Sequence, residues 1–176
     1  MKRLVVGLAA LMLVGLLSAS VDYTPGAGLS GVRAAVASSA HVNVLDAAMT
    51  LTPTATDYVN DYVEVTGASG CRVQLWTNNI AGAVVFVKCA DAAPRVALAD
   101  FLVKTQTAPG LGGTSMSSYN AVTATDQALW SSSLPVIMWG QVNVDLRIKN
   151  LFAYPDAIGG ATTTYTDNLT FTIVMQ

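Results

Sequence analysis

A strict alternation of apolar and polar side chains constrains this chain more than any other feature. Over residues 142–148 every second residue is Val, Leu or Ile, and the residues between them are polar or charged. Because strand side chains alternate between two faces, this period of two predicts a β-strand with one face in a core. Weaker versions of the pattern run through residues 45–51, 58–65 and 165–175.

Turn residues separate these segments, and no helical period is evident beyond the first twenty residues. Counting the segments gives about seven to nine short strands. We therefore predict an all-β fold, a single immunoglobulin-like antiparallel β-sandwich formed by residues 41–176.

The polar faces of these strands are neutral rather than charged. Only 11% of the residues are charged, against about 25% in an average domain, while 52% are apolar. The formal net charge is -2, which argues against a nucleic-acid partner because phosphate binding needs clustered cations. A surface this neutral does little to repel its own copies, which favours self-association.

The first twenty residues have the order of a secretory signal peptide. Lys2 and Arg3 precede an apolar run at residues 4–17, and small residues follow at 18–20. The run is shorter than the roughly 20 residues that a spanning helix needs, although an uncleaved anchor stays open as the alternative. We expect residues 1–20 to be removed. The mature chain is then secreted or held at the cell surface, with periplasmic transit as one route and no membrane contact after cleavage.

Residues 21–40 are rich in Gly, Ala and Ser and contain little apolar bulk, which predicts a flexible arm ahead of the sandwich. Within the arm, Val32, Ala34 and Val36 alternate with Gly31, Arg33 and Ala35. This spacing is a weak strand signature.

Two cysteines flank a segment that is typical of a β-hairpin. Residues 78–82 carry turn chemistry, since Asn and Gly both tolerate left-handed backbone. Pairing the flanking strands symmetrically about Ile80 places Cys71 opposite Cys89, on one face with the apolar residues between them. An even cysteine count in an exported chain predicts a disulfide between the two, with free buried thiols or a metal pair as the alternatives.

No constellation of residues predicts catalysis, and we expect no enzyme activity, no cofactor and no metal. His41 is the only histidine, and no nucleophile or orienting carboxylate forms a recognisable motif near it. Strand alternation divides the carboxylates Asp57, Asp61 and Glu64 between two faces, so we interpret them as solvent-exposed, with a calcium site as the alternative. Residues 110–113 are glycine-rich but lack the Lys–Ser/Thr pair of a phosphate loop.

The three tryptophans are the candidate aromatics for stacking against a sugar: Trp76, Trp130 and Trp139. Tryptophan more often packs in a core or on a sheet face, so the two roles compete. A glycan-binding module would use these rings together with the Gly- and Thr-rich residues 105–118.

The end of the chain resembles the last strand of a group of secreted bacterial sandwiches. Residues 163–173 read Thr-Thr-Tyr-Thr-Asp-Asn-Leu-Thr-Phe-Thr-Ile. This Tyr-x-Asp step and alternating Thr/apolar strand are similar to those of the spore coat protein U and chaperone–usher pilus families. The resemblance implies assembly by strand exchange, in which the arm of one subunit completes the sandwich of the next. It makes Val32, Ala34 and Val36 the candidate donor strand, with a leader that has no such role as the alternative.

Together these observations predict a secreted or cell-surface structural protein, a fibre, pilus-like or coat subunit that self-associates into a homopolymer. The alternative is an extracellular carbohydrate-binding or adhesion module with a glycan partner. The two differ in one structural expectation. Strand exchange requires an unfilled apolar groove, whereas a closed sandwich favours a soluble module.

Overall fold

The computed structural model describes residues 19–21, 34–46, 48–107, 111–154 and 165–176. Within these ranges it contains short strands, one α-helix and two 3-10 helices. In chain order the elements are β1 (Ala19–Val21), β2 (Ala34–Val36), β3 (Ala40–Val44), α1 (Ala55–Asn60), β4 (Tyr62–Val65), a 3-10 helix (Gly67–Ser69), β5 (Cys71–Thr77), β6 (Ala83–Cys89), β7 (Phe101–Thr107), β8 (Thr114–Ser115), β9 (Asn120–Ala121), β10 (Gln127–Ser132), β11 (Val136–Lys149), a second 3-10 helix (Leu151–Ala153) and β12 (Leu169–Met175).

Ten of these strands form two antiparallel sheets that pack face to face as a β-sandwich. The larger sheet has the order β3-β5-β11-β7-β9, and β4 is its sixth strand, paired with β11. The smaller sheet has the order β12-β6-β10-β8. The prediction of an all-β antiparallel sandwich is confirmed, with ten strands in the two sheets in place of about seven to nine.

The 14-residue strand β11 is the spine of the larger sheet. Strands β5 and β4 follow one another along one of its edges, and β7 pairs with the other edge. Val142, Val144 and Leu146 are buried, as their alternation predicts. Because β11 runs the length of the sandwich, its first residues mark one end of the molecule and its last residues mark the other.

The core lies between the inward faces of the two sheets. Both sheets contribute mainly branched aliphatic side chains, and burial of each contributes about 1.5–3 kcal/mol to folding. One large aromatic, Trp130, is 1% exposed within this core. The other fully buried side chains include Val73, Leu75, Val85, Val87, Val103, Val122, Leu129, Val142 and Val144.

The segment predicted as a hairpin is instead an arch that connects the two sheets. Strand β5 pairs with β3 and β11, whereas β6 pairs with β10 and β12. The faces agree with the sequence, because every second residue is buried from Cys71 to Thr77 and from Ala83 to Cys89. The pairing does not agree, because these two faces oppose each other across the core instead of lying side by side.

Asn79 holds the arch in this shape. Its side-chain amide donates to the carbonyl oxygens of Gly82 and Gln176, both at 2.8 Å. Its backbone N–H donates to the hydroxyl of Thr77 at 3.1 Å. Gln176 lies 97 residues further along the chain, so the local turn chemistry gave no sign that the connection joins two sheets.

Helix α1 replaces the first part of a predicted strand at residues 58–65. The carboxylate of Asp57 accepts hydrogen bonds from the backbone N–H and the hydroxyl of Thr54, each at 2.7 Å. Asp61 ends the helix with a left-handed φ of 58°. The prediction of no helix beyond the leader was therefore wrong, and the Thr54-x-x-Asp57 spacing after Pro53 is the sequence signal that indicated one.

Two loop assignments also change. Residues 45–51 were predicted as a strand, but the described part of this segment leaves the sheet, because its pairing partner β5 begins only at Cys71. Conversely, the stretch 105–118 was predicted as a loop, yet β7 extends to Thr107 and β8 lies at Thr114–Ser115.

Near the amino end, β1 and β2 form a separate two-stranded antiparallel sheet, in which Ala19 lies opposite Val36. Two residues of the candidate donor segment, Ala34 and Val36, belong to β2, and Val32 lies outside the described residues. Within the described ranges, no helix is long and apolar enough to cross a membrane.

Candidate functional site

An open groove of about 1000 Å³ lies between the two sheets at one end of the sandwich. Its floor is formed by core-facing residues of the larger sheet, such as Leu146 and Ile148 of β11. Leu169 and Phe171 of β12 form the opposite wall. The segment that follows β3 contributes Met49 and further residues at the mouth. Nothing in the described parts of the chain covers this groove, which continues the hydrophobic core.

Two carboxylates, Asp46 and Asp167, are among the residues that line the groove. Asp46 accepts hydrogen bonds from the backbone N–H of Arg72 at 2.8 Å and from its guanidinium at 2.8 and 2.9 Å. These hydrogen bonds lower the pKa of Asp46 to about 2. This fixed pair anchors the segment after β3 to the start of β5.

The opposite lip of the groove is held by a second carboxylate. Asp167 accepts hydrogen bonds from the backbone N–H groups of Arg95 and Val96 at 2.6 and 2.7 Å. Tyr154 and Tyr165 pack edge to face beside it, with ring centroids 5.5 Å apart. Burial raises the pKa of Tyr154, whose hydroxyl donates to Asp100. These contacts fix the approach to β12, which begins at Leu169.

Two sheet edges meet at this side of the molecule. β3 is one edge strand of the larger sheet, whose other edge is β9, and β12 is one edge strand of the smaller sheet, whose other edge is β8. Among the described residues, β12 pairs only with β6 and β3 only with β5. An edge strand presents unpaired backbone groups, so an added strand finds both hydrogen-bond partners and apolar pockets here.

The predicted disulfide is not formed in the structure, because Cys71 and Cys89 are free buried thiols. Each sulfur points to a carbonyl oxygen near its own strand, Cys71 to Asp46 at 3.9 Å and Cys89 to Asp91 at 4.0 Å. The hairpin register that aligned them is absent, since the two strands belong to different sheets. Burial, with a smaller contribution from Asp46, raises the pKa of Cys71 to about 11.

The three predicted tryptophans divide between core and surface. Trp130 is buried, and its indole N–H donates to the carbonyl of Gly112 at 3.1 Å. Trp76 and Trp139 lie on the outer side of the larger sheet, where the ring of His41 is 5.4 and 6.5 Å from theirs. Trp139 is 55% exposed. The structure therefore brings together two of the three rings and adds His41, which sequence reasoning did not place with them.

The remaining carboxylates of interest are separated from one another. Asp57 caps α1, Asp61 accepts a hydrogen bond from the backbone N–H of Leu151 at 2.9 Å, and Glu64 contacts Arg147 at 2.6 Å. Among the described residues, no group of three or more His, Cys, Asp and Glu side chains is arranged to hold a metal ion.

Arg147 is the centre of a polar cluster on the outer face of the larger sheet that the sequence did not predict. Its guanidinium lies 4.2 Å from the ring centroid of Tyr62 and 4.0 Å from that of Tyr119. The Tyr119 hydroxyl donates to Glu64 at 2.8 Å. Burial alone raises the pKa of Glu64, but its bonds to Arg147 and Tyr119 outweigh it and lower the pKa. Every member has its partner, so this cluster reinforces the sheet.

Comparison with known proteins adds no family: no family model matches the chain, and no curated protein or solved structure gives a significant match. The antiparallel β-sandwich therefore defines the class of the protein by its fold.

Proposed function

We propose that this chain is a secreted or cell-surface structural subunit that assembles into a homopolymer by β-strand addition. The open groove between the sheets carries the proposal. A closed sandwich covers the sides of its core, whereas here the described residues leave a space of about 1000 Å³ between β12 and the larger sheet, and most of its lining is apolar. Leaving such a surface uncovered has a cost in water, which a strand from another copy removes.

The candidate donor is the arm at residues 21–40 of a neighbouring copy. Its alternating residues Val32, Ala34 and Val36 provide one apolar face, as an inserted strand requires. The backbone of the donor would pair with the edge of β12 that faces away from β6, which no described strand occupies.

The experiment uses two arm variants of the mature chain, beginning at residue 21. Val36→Asp places a charge on the apolar face of the donor, whereas Ala35→Asp places the same charge on the alternate face. We expect the unmodified chain and Ala35→Asp to form fibres in negative-stain micrographs and sedimentation velocity, and Val36→Asp to form none. Equal behaviour of all three chains, whether fibrous or monomeric, would contradict strand donation by this segment.

A carbohydrate-binding or adhesion module is the second candidate, and one observation favours it. His41, Trp76 and Trp139 form an aromatic cluster, and the amide side chains of Gln74 and Gln141 lie on the same face, next along β5 and β11. Aromatic faces flanked by amides suit a neutral sugar. A glycan array separates the candidates: binding that is lost in Trp76→Ala supports the module, and no binding by the intact chain removes it.

A further inference from the structure

All charged side chains of the described sandwich lie toward the groove, and its opposite end has none. On the spine, β11 carries no charge from Val136 to Val144, and then Asp145, Arg147 and Lys149 follow in alternation. The other strands repeat this distribution, since the segments that reach the opposite end contain no Asp, Glu, Lys or Arg. These segments are residues 34–45, 73–87, 111–125, 127–144 and 168–176.

The charge-free end has an apolar tip, which we define as Ile80, Leu134, Ile137, Met138 and Trp139. These side chains are 84%, 67%, 74%, 78% and 55% exposed, and they account for five of the nine large exposed hydrophobics in the described residues. The tip is produced by the backbone. Two extra residues bulge from β11 between Val136, which pairs with Thr77, and Gly140, which pairs with Leu75.

The arch and the bulge form one continuous surface. A Cβ on Gly82 of the arch would stand 1.8 Å from the carbonyl oxygen of Ser132 and 2.9 Å from the nitrogen of Leu134, so these backbones are in direct contact. The indole N–H of Trp76 donates to the carbonyl of Ile137 at 3.1 Å, which fixes the bulge against β5. The backbone contact and the hydrogen bond therefore hold the apolar tip in place.

We infer that the apolar tip is a contact surface for a second copy of this chain, pairing tip to tip. Five side chains at these exposures present on the order of 400 Å² of apolar surface, so two copies bury about 800 Å². With the roughly 65% apolar fraction of homodimer interfaces, the whole contact reaches about 1,200 Å², the lower limit of specific association. Serine, threonine and amide side chains surround the tip and can form the polar rim.

The composition of the tip and its surroundings favours a second copy of this chain over an anionic lipid surface or a sugar. An anionic lipid surface requires Lys or Arg beside the inserted residues, and the described segments around the tip carry neither. A sugar stacks on aromatic faces, whereas Ile80, Leu134, Ile137 and Met138 are aliphatic. In the described segments, two identical tips carry neither opposing nor repelling charges, so screening by salt does not weaken their contact. The tip is a different surface from the groove, so this inference does not depend on strand addition.

The test is sedimentation velocity of the mature chain carrying Val36→Asp, which removes the proposed strand donation, at low and high salt. We expect a weak dimer at both salt concentrations, and at least a tenfold higher dissociation constant in Ile137→Lys and Met138→Ser. The matched control is Val59→Lys, because Val59 is 84% exposed at the charged end and its substitution leaves dimerisation unchanged.

Three results would overturn the inference. The first is a monomer at all concentrations with the tip intact, and the second is an equal effect of Val59→Lys. The third is binding to neutral vesicles that depends on Ile137 while the protein stays monomeric. Fibres that persist with Val36→Asp would contradict strand donation instead, so failure of the two proposals can be told apart.

Discussion

The two ends of this sandwich share the same strands but differ in how they meet water. At the groove end, carboxylates cap a helix, pair with arginines and hold loop backbones, as Asp57, Asp46 and Asp167 do. At the opposite end, Asn79, Gly82 and neutral hydroxyls hold the loop backbones, and an exposed apolar tip lies above them. The difference teaches that charged groups here hold the fold together, whereas the two surfaces that we propose bind other copies, the groove and the tip, are largely apolar.

Loss of Asp145 is the strongest test of cohesion at the charged end. Its carboxylate is fully buried, accepts hydrogen bonds from the Gly67 N–H and the Gln106 amide at 2.8 Å, and lies 3.3 Å from the Lys104 ammonium. Asp145→Ala leaves these donors unpaired, so we expect it to lower the free energy of unfolding by about 3–5 kcal/mol in urea titrations. Asp126→Ala breaks the exposed pair with Lys88 and serves as the control, with an effect below about 0.5 kcal/mol. A comparable loss of unfolding free energy in both variants would mean that the buried carboxylate contributes no more to stability than the exposed one.

The matching test at the tip end is Gly82→Ala. Gly82 has φ 83°, and its Cβ would overlap the backbone of Ser132, so both the dihedral and the contact oppose a side chain. We predict a loss of about 2–3 kcal/mol in unfolding free energy. Gly112→Ala is its control, because nothing lies within 4 Å of the Cβ position and its φ is not left-handed. An unchanged urea midpoint for Gly82→Ala would show that the arch relaxes away from the backbone of Ser132.

The cysteines sharpen the comparison through their reactivity. With its pKa raised from 9.0 to about 11, Cys71 has about a hundredfold less thiolate near pH 8 than an exposed cysteine. We expect the folded Cys89→Ser chain, in which Cys71 is the remaining thiol, to react slowly with a thiol reagent. We expect the unmodified chain to release two equivalents in urea without reductant. Zero equivalents in urea would reveal a disulfide and contradict the free thiols.

Acid is expected to weaken the Asp46–Arg72 pair at the groove end and to leave the tip end unchanged. Of the effects predicted here, this one is the smallest. The folded pKa of Asp46 lies near 2, below its ordinary value of 3.8, so its pairing with Arg72 stabilises the fold above pH 3.8 and is lost as the pH falls toward 2. Asp46→Asn should therefore lower the melting temperature at pH 6 and match the unmodified chain near pH 2. A difference that stays constant over this range would assign the effect to packing instead of charge.

The sequence predicted which face of each strand is buried better than it predicted which strands pair with each other. Alternation placed Cys71, Cys89 and the aliphatics between them correctly on buried faces, because face depends only on the period of two. It could not tell a hairpin from an arch, because that choice depends on Asn79 meeting Gln176. The short helix at residues 55–60 was overlooked, although its cap was readable at Thr54 and Asp57.

The candidate surfaces were harder to predict than the fold. From the sequence alone, Trp76, Trp130 and Trp139 were equal candidates for stacking against a sugar. Their neighbours in the chain do not distinguish a buried indole from an exposed one. Charged residues are scattered along the chain, and only the antiparallel topology collects them at one end. The groove likewise depends on the segment after β3 leaving the sheet, which the weak alternation at residues 45–51 concealed.

The most direct measurement of strand addition is a titration followed by amide NMR. The receptor is the mature chain carrying Val36→Asp, and the ligand is a peptide of residues 29–40 with the unmodified sequence. The account predicts saturable shifts confined to the groove, at residues 48–53 and 165–171, with none at the apolar tip. Absence of binding, or shifts at residues 134–139 instead, would contradict the proposal that the groove receives the arm of another copy.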